Sequence, residues 1–132
     1  MPMFTDFLTE VERIKRVTFS NQQQIQTVIA VKRHMEEHFG EDLGLDLLAR
    51  EHCISKFHLI RLFNRYYGHT PNQCLMQIRI RKAKAFLAGG MSVTDTCFRV
   101  GFKSLGSFSS LFTTKVGISP SEYRKRQFSR RL

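Results

Sequence analysis

The chain has 132 residues, 42% of them hydrophobic, and a formal net charge of +10. This composition suits one domain or two small ones and excludes a disordered tail, and no apolar run approaches the ~20 residues that a membrane span requires. Three widely spaced cysteines match neither a disulfide framework nor a zinc site, so we expect a cytoplasmic protein with free thiols and no metal or cofactor.

The charge is distributed unevenly along the sequence. Residues 1–52 contain six basic and nine acidic side chains, whereas residues 53–132 contain fifteen basic and two acidic ones. Such a concentrated positive field attracts polyanions, because lysine and arginine contacts with phosphates release condensed counterions. The pattern is typical of a nucleic-acid-binding protein, but a basic surface that only confers solubility would look the same.

The predicted elements begin with a leader over residues 1–24, which ends in a polar join at residues 20–24. Its apolar residues recur at helical spacing, which is compatible with an additional short helix. They are Phe4, Phe7, Leu8, Val11 and Ile14. A helix is then predicted from residue 25 to Gly40, since glycine commonly ends helices. Its expected buried face consists of Ile25, Val28, Ile29, Met35 and Phe39.

An internal repeat follows, in which residues 59–71 align with residues 108–120. The matched positions are Leu62 with Leu111, Phe63 with Phe112, Gly68 with Gly117 and Pro71 with Pro120. Glycine suits the left-handed residue that closes a helix, and proline is favoured in the first turn of the next one. New helices are therefore predicted after two capping boxes, which are Thr70 with Gln73 and Ser119 with Glu122.

A short helix and a tight turn precede each repeated segment. The first copy has a helix over residues 45–52, a turn at Cys53 and Ile54, and a cap at Ser55. The second copy has a helix over residues 93–100, a turn at Gly101 and Phe102, and a cap at Ser104. Helix, turn and second helix define a helix-turn-helix unit, which the sequence predicts twice.

A long helix is predicted between the two units, from residue 71 to about residue 88. Its apolar residues lie within a ~140° stripe. They are Leu75, Met76, Ile80, Ala83, Phe86 and Leu87. At ~1.5 Å per residue the helix spans roughly 26 Å, a length that suits two units in successive major grooves. Arg79 falls inside the stripe and is expected to be a structural arginine that pairs with a carboxylate or a carbonyl.

These segments resemble the DNA-binding domain of the AraC/XylS transcription regulators. The resemblance covers roughly residues 25–127 and is carried by residues 49–71, by Arg79-Ile80-x-x-Ala83-x-x-Phe86-Leu87, and by Gly101-Phe102 through Gly117-Ile-Ser-Pro-Ser-Glu-Tyr-Arg124. It implies seven helices, of which the third and sixth enter adjacent major grooves of double-stranded promoter DNA. It also implies RNA polymerase as a partner and a location at the bacterial nucleoid. The chain is then either a compact member without a ligand-binding domain, which binds as a monomer if complete, or a fragment of a longer one.

The predicted architecture is all-α, with two three-helix subdomains joined by a long linker helix. The parts are a leader or linker (residues 1–24), the first helix-turn-helix subdomain (25–70), the linker helix (71–90), the second subdomain (91–127) and a basic tail (128–132). Cys53 occupies a turn position where glycine is common in the family, so its backbone is expected to avoid positive φ.

The resemblance also implies which side chains contact DNA. Phe57, Ile60 and Arg61 of the first recognition helix are expected to face base edges, where a guanidinium can bond both O6 and N7 of guanine. Contacts from the rest of that helix and from the second recognition helix are expected to position the protein on the backbone. These residues are Ser55, Lys56, His58, Arg65, Lys103, Ser104, Leu105, Ser107, Ser109, Ser110 and Lys115.

Two other functional classes stay open. An architectural or weakly specific DNA-binding protein is favoured by the second recognition helix, which offers Leu105, Gly106 and serines where the family usually has polar or arginine readers. A protein-interaction module is suggested by the acidic end of the first helix, which carries Glu36, Glu37, Glu41 and Asp42. Catalysis is not predicted, because the sequence has no phosphate-binding glycine loop, metal cluster or nucleophile motif.

Overall fold

A computed structural model describes residues 2–131. The elements, in chain order, are α1 (Pro2–His38), α2 (Leu45–Glu51), α3 (Lys56–Tyr67), α4 (Pro71–Ala88), α5 (Val93–Arg99), α6 (Leu105–Val116) and α7 (Pro120–Arg131). The pairs α2–α3 and α5–α6 are the first and second helix-turn-helix units, and α4 connects them. The all-α prediction is confirmed, with seven helices over the described range. Among those residues, no helix combines the length and apolar character that a membrane crossing needs.

The N-terminal segment differs from its prediction. α1 is one helix of 37 residues, so residues 20–24 do not form a join and no separate short helix stands before it. Glutamine has a high helix propensity, and neither glycine nor proline occurs between residues 3 and 39, so the polar run continues the helix. The side chain of Phe4 lies outside the described set. The predicted domain boundaries stay predictions.

The face of α1 that packs on the domain also differs in part. Val28, Val31 and Met35 are buried, whereas Ile25 and Ile29 are 41% and 46% exposed. On a helix of 3.6 residues per turn these two sets lie about 100° apart. Ile25 and Ile29 were therefore wrongly assigned to the buried face.

Two buried clusters form the core, and α4 contributes to both. The first lies between α1, α2, α3 and the start of α4 and contains Val28, Val31, Met35, Leu43, Leu48, Ala49, Leu59, Leu62, Phe63, Cys74, Leu75 and Ile78. The second lies between the end of α4, α5 and α6 and contains Ile80, Ala83, Leu87, Cys97, Val100, Phe108 and Phe112. Phe39 packs against both clusters, so the two halves of the molecule share apolar contacts.

The predicted caps are found at the ends of the recognition helices. Gly68 and Gly117 close α3 and α6 in the left-handed conformation, with φ of 76° and 95°. Thr70 forms the full capping box with Gln73. The second predicted box is only half formed. The Ser119 hydroxyl accepts a bond from the backbone N–H of Glu122 at 3.2 Å, but the Glu122 carboxylate accepts a bond from Arg126 instead of from the backbone of Ser119.

The turn of the first unit corrects the expectation for Cys53. Its φ is 55°, in the left-handed region, where its counterpart Gly101 in the second unit has a φ of 99°. An equivalent backbone hydrogen bond closes each turn. In the first turn the N–H of Ile54 donates to the carbonyl of Ala49, and in the second the N–H of Phe102 donates to the carbonyl of Cys97. The geometry of the turn therefore requires a left-handed residue, at a cost of about 1–2 kcal/mol for cysteine.

Arg79 joins the two halves of the molecule. Its Nε donates to the carbonyl of Phe39 at 2.9 Å and its Nη2 donates to the carbonyl of Glu41 at 2.7 Å, beyond the end of α1. A Cβ on Gly101 would lie 2.8 Å from the Arg79 Cζ, so the turn of the second unit is pressed against the same group. Burial lowers the pKa of Arg79, and Asp42 acts in the opposite direction. The prediction of a structural arginine is confirmed.

Candidate nucleic-acid interface

α3 has one buried and one exposed face. Leu59, Leu62 and Phe63 are buried in the first core cluster and fix the helix in rotation. The Ser55 hydroxyl accepts from the His58 backbone N–H at 3.1 Å and fixes the start of the helix. The outward face carries Lys56, Phe57, Arg61, Asn64 and Arg65, all exposed. A firmly held helix thus presents three cations and one aromatic ring to solvent.

The three predicted base readers occupy different environments. Arg61 is exposed one turn after Phe57, whose ring is 64% exposed and lies 5.5 Å from the Lys56 Nζ. Ile60 is only half-buried and lines an apolar groove together with Leu48 and Pro71. Part of the Ile60 side chain therefore packs against the protein. Arg61 and Phe57 have the accessibility that base contact requires, and the contacts themselves stay predictions.

The predicted backbone contacts of α3 are partly engaged within the protein. Lys56 Nζ lies 3.6 Å from an Asp46 carboxylate oxygen, an exposed pair of little energetic weight. Arg65 donates to the Gln24 side chain at 3.4 Å, and the Tyr66 hydroxyl donates to the same oxygen at 3.1 Å. These bonds to α1 were not predicted, because sequence periodicity gives no distance between residues 41 or 42 positions apart.

α6 presents a different surface. Its only cation is Lys115, which is exposed near the last turn. The exposed residues before it are Leu105, Gly106, Ser107, Ser110, Thr113 and Thr114, and Ser109 is half-buried. The Ser104 hydroxyl caps the helix and bonds the Ser107 hydroxyl at 2.9 Å. Thr113 and Thr114 donate back to the carbonyls one turn earlier. Several hydroxyl groups of this helix and its cap therefore already donate hydrogen bonds to neighbouring atoms of the same segment.

Three of the four acidic residues near the end of α1 have partners within the chain. Glu36 accepts from Arg81 of α4 at 2.6 Å, and Glu41 lies 2.6 Å from the ring of His38. The Asp42 carboxylate lies 3.5 Å from the Lys103 Nζ, with both side chains exposed. These pairs weaken the case for an acidic docking surface. The pair with Asp42 also means that a carboxylate would compete with a DNA phosphate for Lys103.

The C-terminal basic residues are not a free tail. α7 continues to Arg131, and residue 132 lies outside the described range. Arg124 Nε donates to the Met91 carbonyl and its Nη2 donates to the Gly90 carbonyl, both at 3.0 Å. Arg124 therefore satisfies carbonyls just after the end of α4. This role was missed because it depends on the packing of α7 against α4.

The cysteines show no arrangement of a redox or metal site. Cys74 and Cys97 are buried, and burial raises the pKa of both thiols, which keeps them in the less reactive form. Cys53 is exposed. Over residues 2–131, no group of three or more histidine, cysteine, aspartate or glutamate side chains is placed to hold a metal ion.

Comparison with known proteins gives matches over most of the chain. A family model described as a helix-turn-helix domain matches residues 48–126. The uncharacterized HTH-type transcriptional regulator YbfI of Bacillus subtilis is 36% identical over 103 residues, 76% of this chain and 38% of that protein. The HTH-type transcriptional activator RhaS of Escherichia coli is 33% identical over 92 residues, 69% of this chain and 33% of that protein. The chain thus spans little more than a third of these curated relatives.

Two solved structures share the fold. The C-terminal domain of AraT, a response regulator from Geobacillus stearothermophilus, superposes with a TM-score of 0.73 at 27% identity, over 76% of this chain and 84% of that one. The DNA-binding domain of AdpA, a global transcriptional factor crystallised in complex with a target DNA, superposes with a TM-score of 0.74 at 29% identity, over 78% of this chain and 94% of that one.

Proposed function

This chain belongs to the AraC-type family of helix-turn-helix transcription regulators, and from that premise we propose that it binds promoter DNA sequence-specifically, with α3 and α6 in successive major grooves. The observation that carries the proposal is α3, a capped and firmly packed helix whose outward face exposes Arg61, Phe57 and Lys56. The likeness to the AdpA domain, which was crystallised with DNA, supports the placement of both recognition helices.

The two recognition helices, α3 and α6, are proposed to contribute differently to DNA binding. Arg61 makes a bidentate contact with a guanine, and Phe57 contacts a thymine methyl group. Lys115 and Lys103 contact phosphates, and the serines of α6 add hydrogen bonds that carry little sequence information. The first unit then supplies most of the specificity, and the second supplies affinity and position.

The partners follow from this arrangement. One copy carries both units, so it reaches two grooves without a second chain. At a promoter, the bound protein recruits or positions RNA polymerase, and its place in the cell is the nucleoid. These statements concern the DNA-binding part that the chain shares with its relatives.

A binding experiment tests the proposal against the architectural alternative, which the composition of α6 favours. Fragments selected from genomic DNA are compared with scrambled fragments over a series of salt concentrations. Specific binding is expected to be at least about 10³-fold tighter, and the logarithm of the binding constant should fall linearly with the logarithm of salt concentration. A ratio near one at every salt concentration would identify a non-specific binder and contradict the proposal.

A further inference from the structure

Histidine is confined to the first half of the sequence. The five histidines are His34, His38, His52, His58 and His69, so the second helix-turn-helix unit contains none. Three of them lie together where α1 passes the end of α2. The ring centroid of His34 lies 5.2 Å from that of His38 and 5.4 Å from that of His52. The proposed DNA contacts use none of these three rings.

His34 and His52 are in direct contact through ring nitrogens. The Nδ1 of His34 lies 3.2 Å from the Nε2 of His52, and both side chains are half-buried. One of the two facing nitrogens carries a hydrogen and the other offers its lone pair. A first added proton can bind the outward nitrogen of the donating ring and leave this bond intact. A second proton puts a hydrogen on both facing nitrogens and a positive charge on both rings, so the contact must break.

The carboxylates near this contact share a surface cavity with His34. That cavity is lined by His34 and His38 of α1, by Glu41 and Asp42 of the loop that follows, and by Glu51 of α2. One of these carboxylates is already engaged, because an oxygen of Glu41 lies 2.6 Å from the Nδ1 of His38. The partner ring, His52, lies beside other groups.

His52 has mostly uncharged neighbours. Its surface cavities are lined by glutamine and threonine side chains of α1, by Cys53 of the turn and by His58 of α3. Burial and the nearby His34 lower the pKa of His52, while Glu51 acts in the opposite direction. The folded protein therefore binds fewer protons than the unfolded chain below the ordinary histidine pKa of about 6.5. The stability that this pair contributes is complete above that pH and is lost as the pH falls from it towards the lowered pKa.

The contact lies beside the turn that leads into the first recognition helix. His52 ends α2, and the next residue, Cys53, has the left-handed φ of 55°. The N–H of Ile54 then bonds the carbonyl of Ala49, and Ser55 caps α3. A left-handed cysteine already costs about 1–2 kcal/mol, so this turn depends on the contacts around it.

We propose that His34 and His52 form a pH-responsive contact, which ties α1 to the turn of the first helix-turn-helix unit at neutral pH and opens when both rings are protonated. The turn of the second unit, which has no histidine, does not respond in this way. Mild acid therefore loosens the support of α3 and leaves that of α6 unchanged.

The first test compares the two turns within one molecule by amide hydrogen exchange, without DNA, so that it is independent of the proposed function. Protection factors are measured at about pH 7.5 and about pH 5.5, on either side of the ordinary histidine pKa. The factor of the Ile54 amide is expected to fall about three- to tenfold, since a pKa lowered by one unit corresponds to a tenfold change. The Phe102 amide, which makes the equivalent bond to Cys97, is expected to change by less than about twofold. An equal fall at both amides would overturn the proposal.

The second test substitutes one ring of the pair. In His34→Gln the amide oxygen can accept a bond from a protonated His52, so the acid-dependent fall at Ile54 should shrink to less than about twofold. His69→Gln is the matched control, because it removes a histidine outside the cluster, and it should keep the wild-type response. Circular dichroism at neutral pH verifies that both variants are folded. A full response at Ile54 in His34→Gln would contradict the proposal.

The third test needs no variant of the pair. In the wild type, nuclear magnetic resonance titration of the ring protons should show His52 with an apparent pKa below the ordinary value of about 6.5. The His52 signal is assigned by its loss in His52→Gln. An apparent pKa of His52 at or above the ordinary value would show that the folded contact tolerates both protons, and the proposal would be wrong.

Discussion

The two helix-turn-helix units share an internal framework and differ on their outer surfaces. Phe63 and Phe112 are both fully buried, and Gly68 and Gly117 end their helices in the same left-handed conformation. Outward from this framework, α3 carries three cations and α6 carries one. The duplicated residues are those that the fold requires. The outward residues, which packing does not constrain, are where the two units differ, and the proposed division of tasks rests on that difference.

The largest expected effects are on stability, and they test whether the buried cores of the two helix-turn-helix units contribute equally to it. Phe63→Ala and Phe112→Ala should each lower the free energy of unfolding by about 3–5 kcal/mol, because each leaves a cavity in one core cluster. Urea denaturation followed by circular dichroism measures both. Phe57→Ala, at an exposed position of α3, should change stability by no more than about 0.5 kcal/mol. Strongly unequal costs at the two buried positions would show that the cores are not equivalent.

A reciprocal exchange tests the two turns. Gly101→Cys should destabilise by about 2–4 kcal/mol, because a Cβ at that positive φ also meets Arg79 and the Phe39 carbonyl. Cys53→Gly should leave stability unchanged or raise it by up to about 1 kcal/mol, since it removes the left-handed strain. Thermal unfolding of both variants gives the comparison. Similar losses from both substitutions would contradict the account of the turn.

The division of tasks between the outer surfaces is tested by binding. Arg61→Ala should weaken specific binding by about 1–3 kcal/mol and relax base preference at one position. Lys115→Ala should weaken binding to all sequences alike and reduce the salt slope by about one. Fluorescence anisotropy with selected and scrambled fragments measures both. Equal losses of specific and non-specific binding for Arg61→Ala would remove Arg61 from the base-reading role.

The smallest effect concerns α6 itself. Gly106→Ala should stabilise the protein by about 0.5–1 kcal/mol, because an added Cβ meets no atom within 4 Å and alanine favours the helix. Chemical denaturation measures the gain. Gly117→Ala is the control and should destabilise, since its φ is 95°. If Gly106→Ala gave no gain in the free energy of unfolding, the stability of α6 would depend on its buried residues and not on the helix propensity at position 106.

Local signals in the sequence predicted the framework well. The caps at Ser55, Thr70 and Ser104 and the closing glycines were correctly placed, because each acts through bonds to residues only three or four positions away. The family resemblance placed Phe57, Ile60 and Arg61 on the outward face of α3. Phe57 and Arg61 are indeed exposed, whereas Ile60 is half-buried.

Features that depend on distant parts of the chain were not predictable in the same way. Ile25 and Val28 both fit a helical period, and only the position of α3 decides which of them is buried. The φ of Cys53 is imposed by the helices on either side of it. The bonds of Arg124 to the end of α4 need the tertiary packing of α7.

Arg79 has a consequence for the operator. Its bonds beyond α1 and its contact with Gly101 leave α3 and α6 little freedom to move relative to each other. One base pair inserted between the two half-sites rotates the second by about 35° around the DNA axis. The protein is not free to follow that rotation, so natural operators are expected to keep a constant spacing between half-sites even where their bases vary.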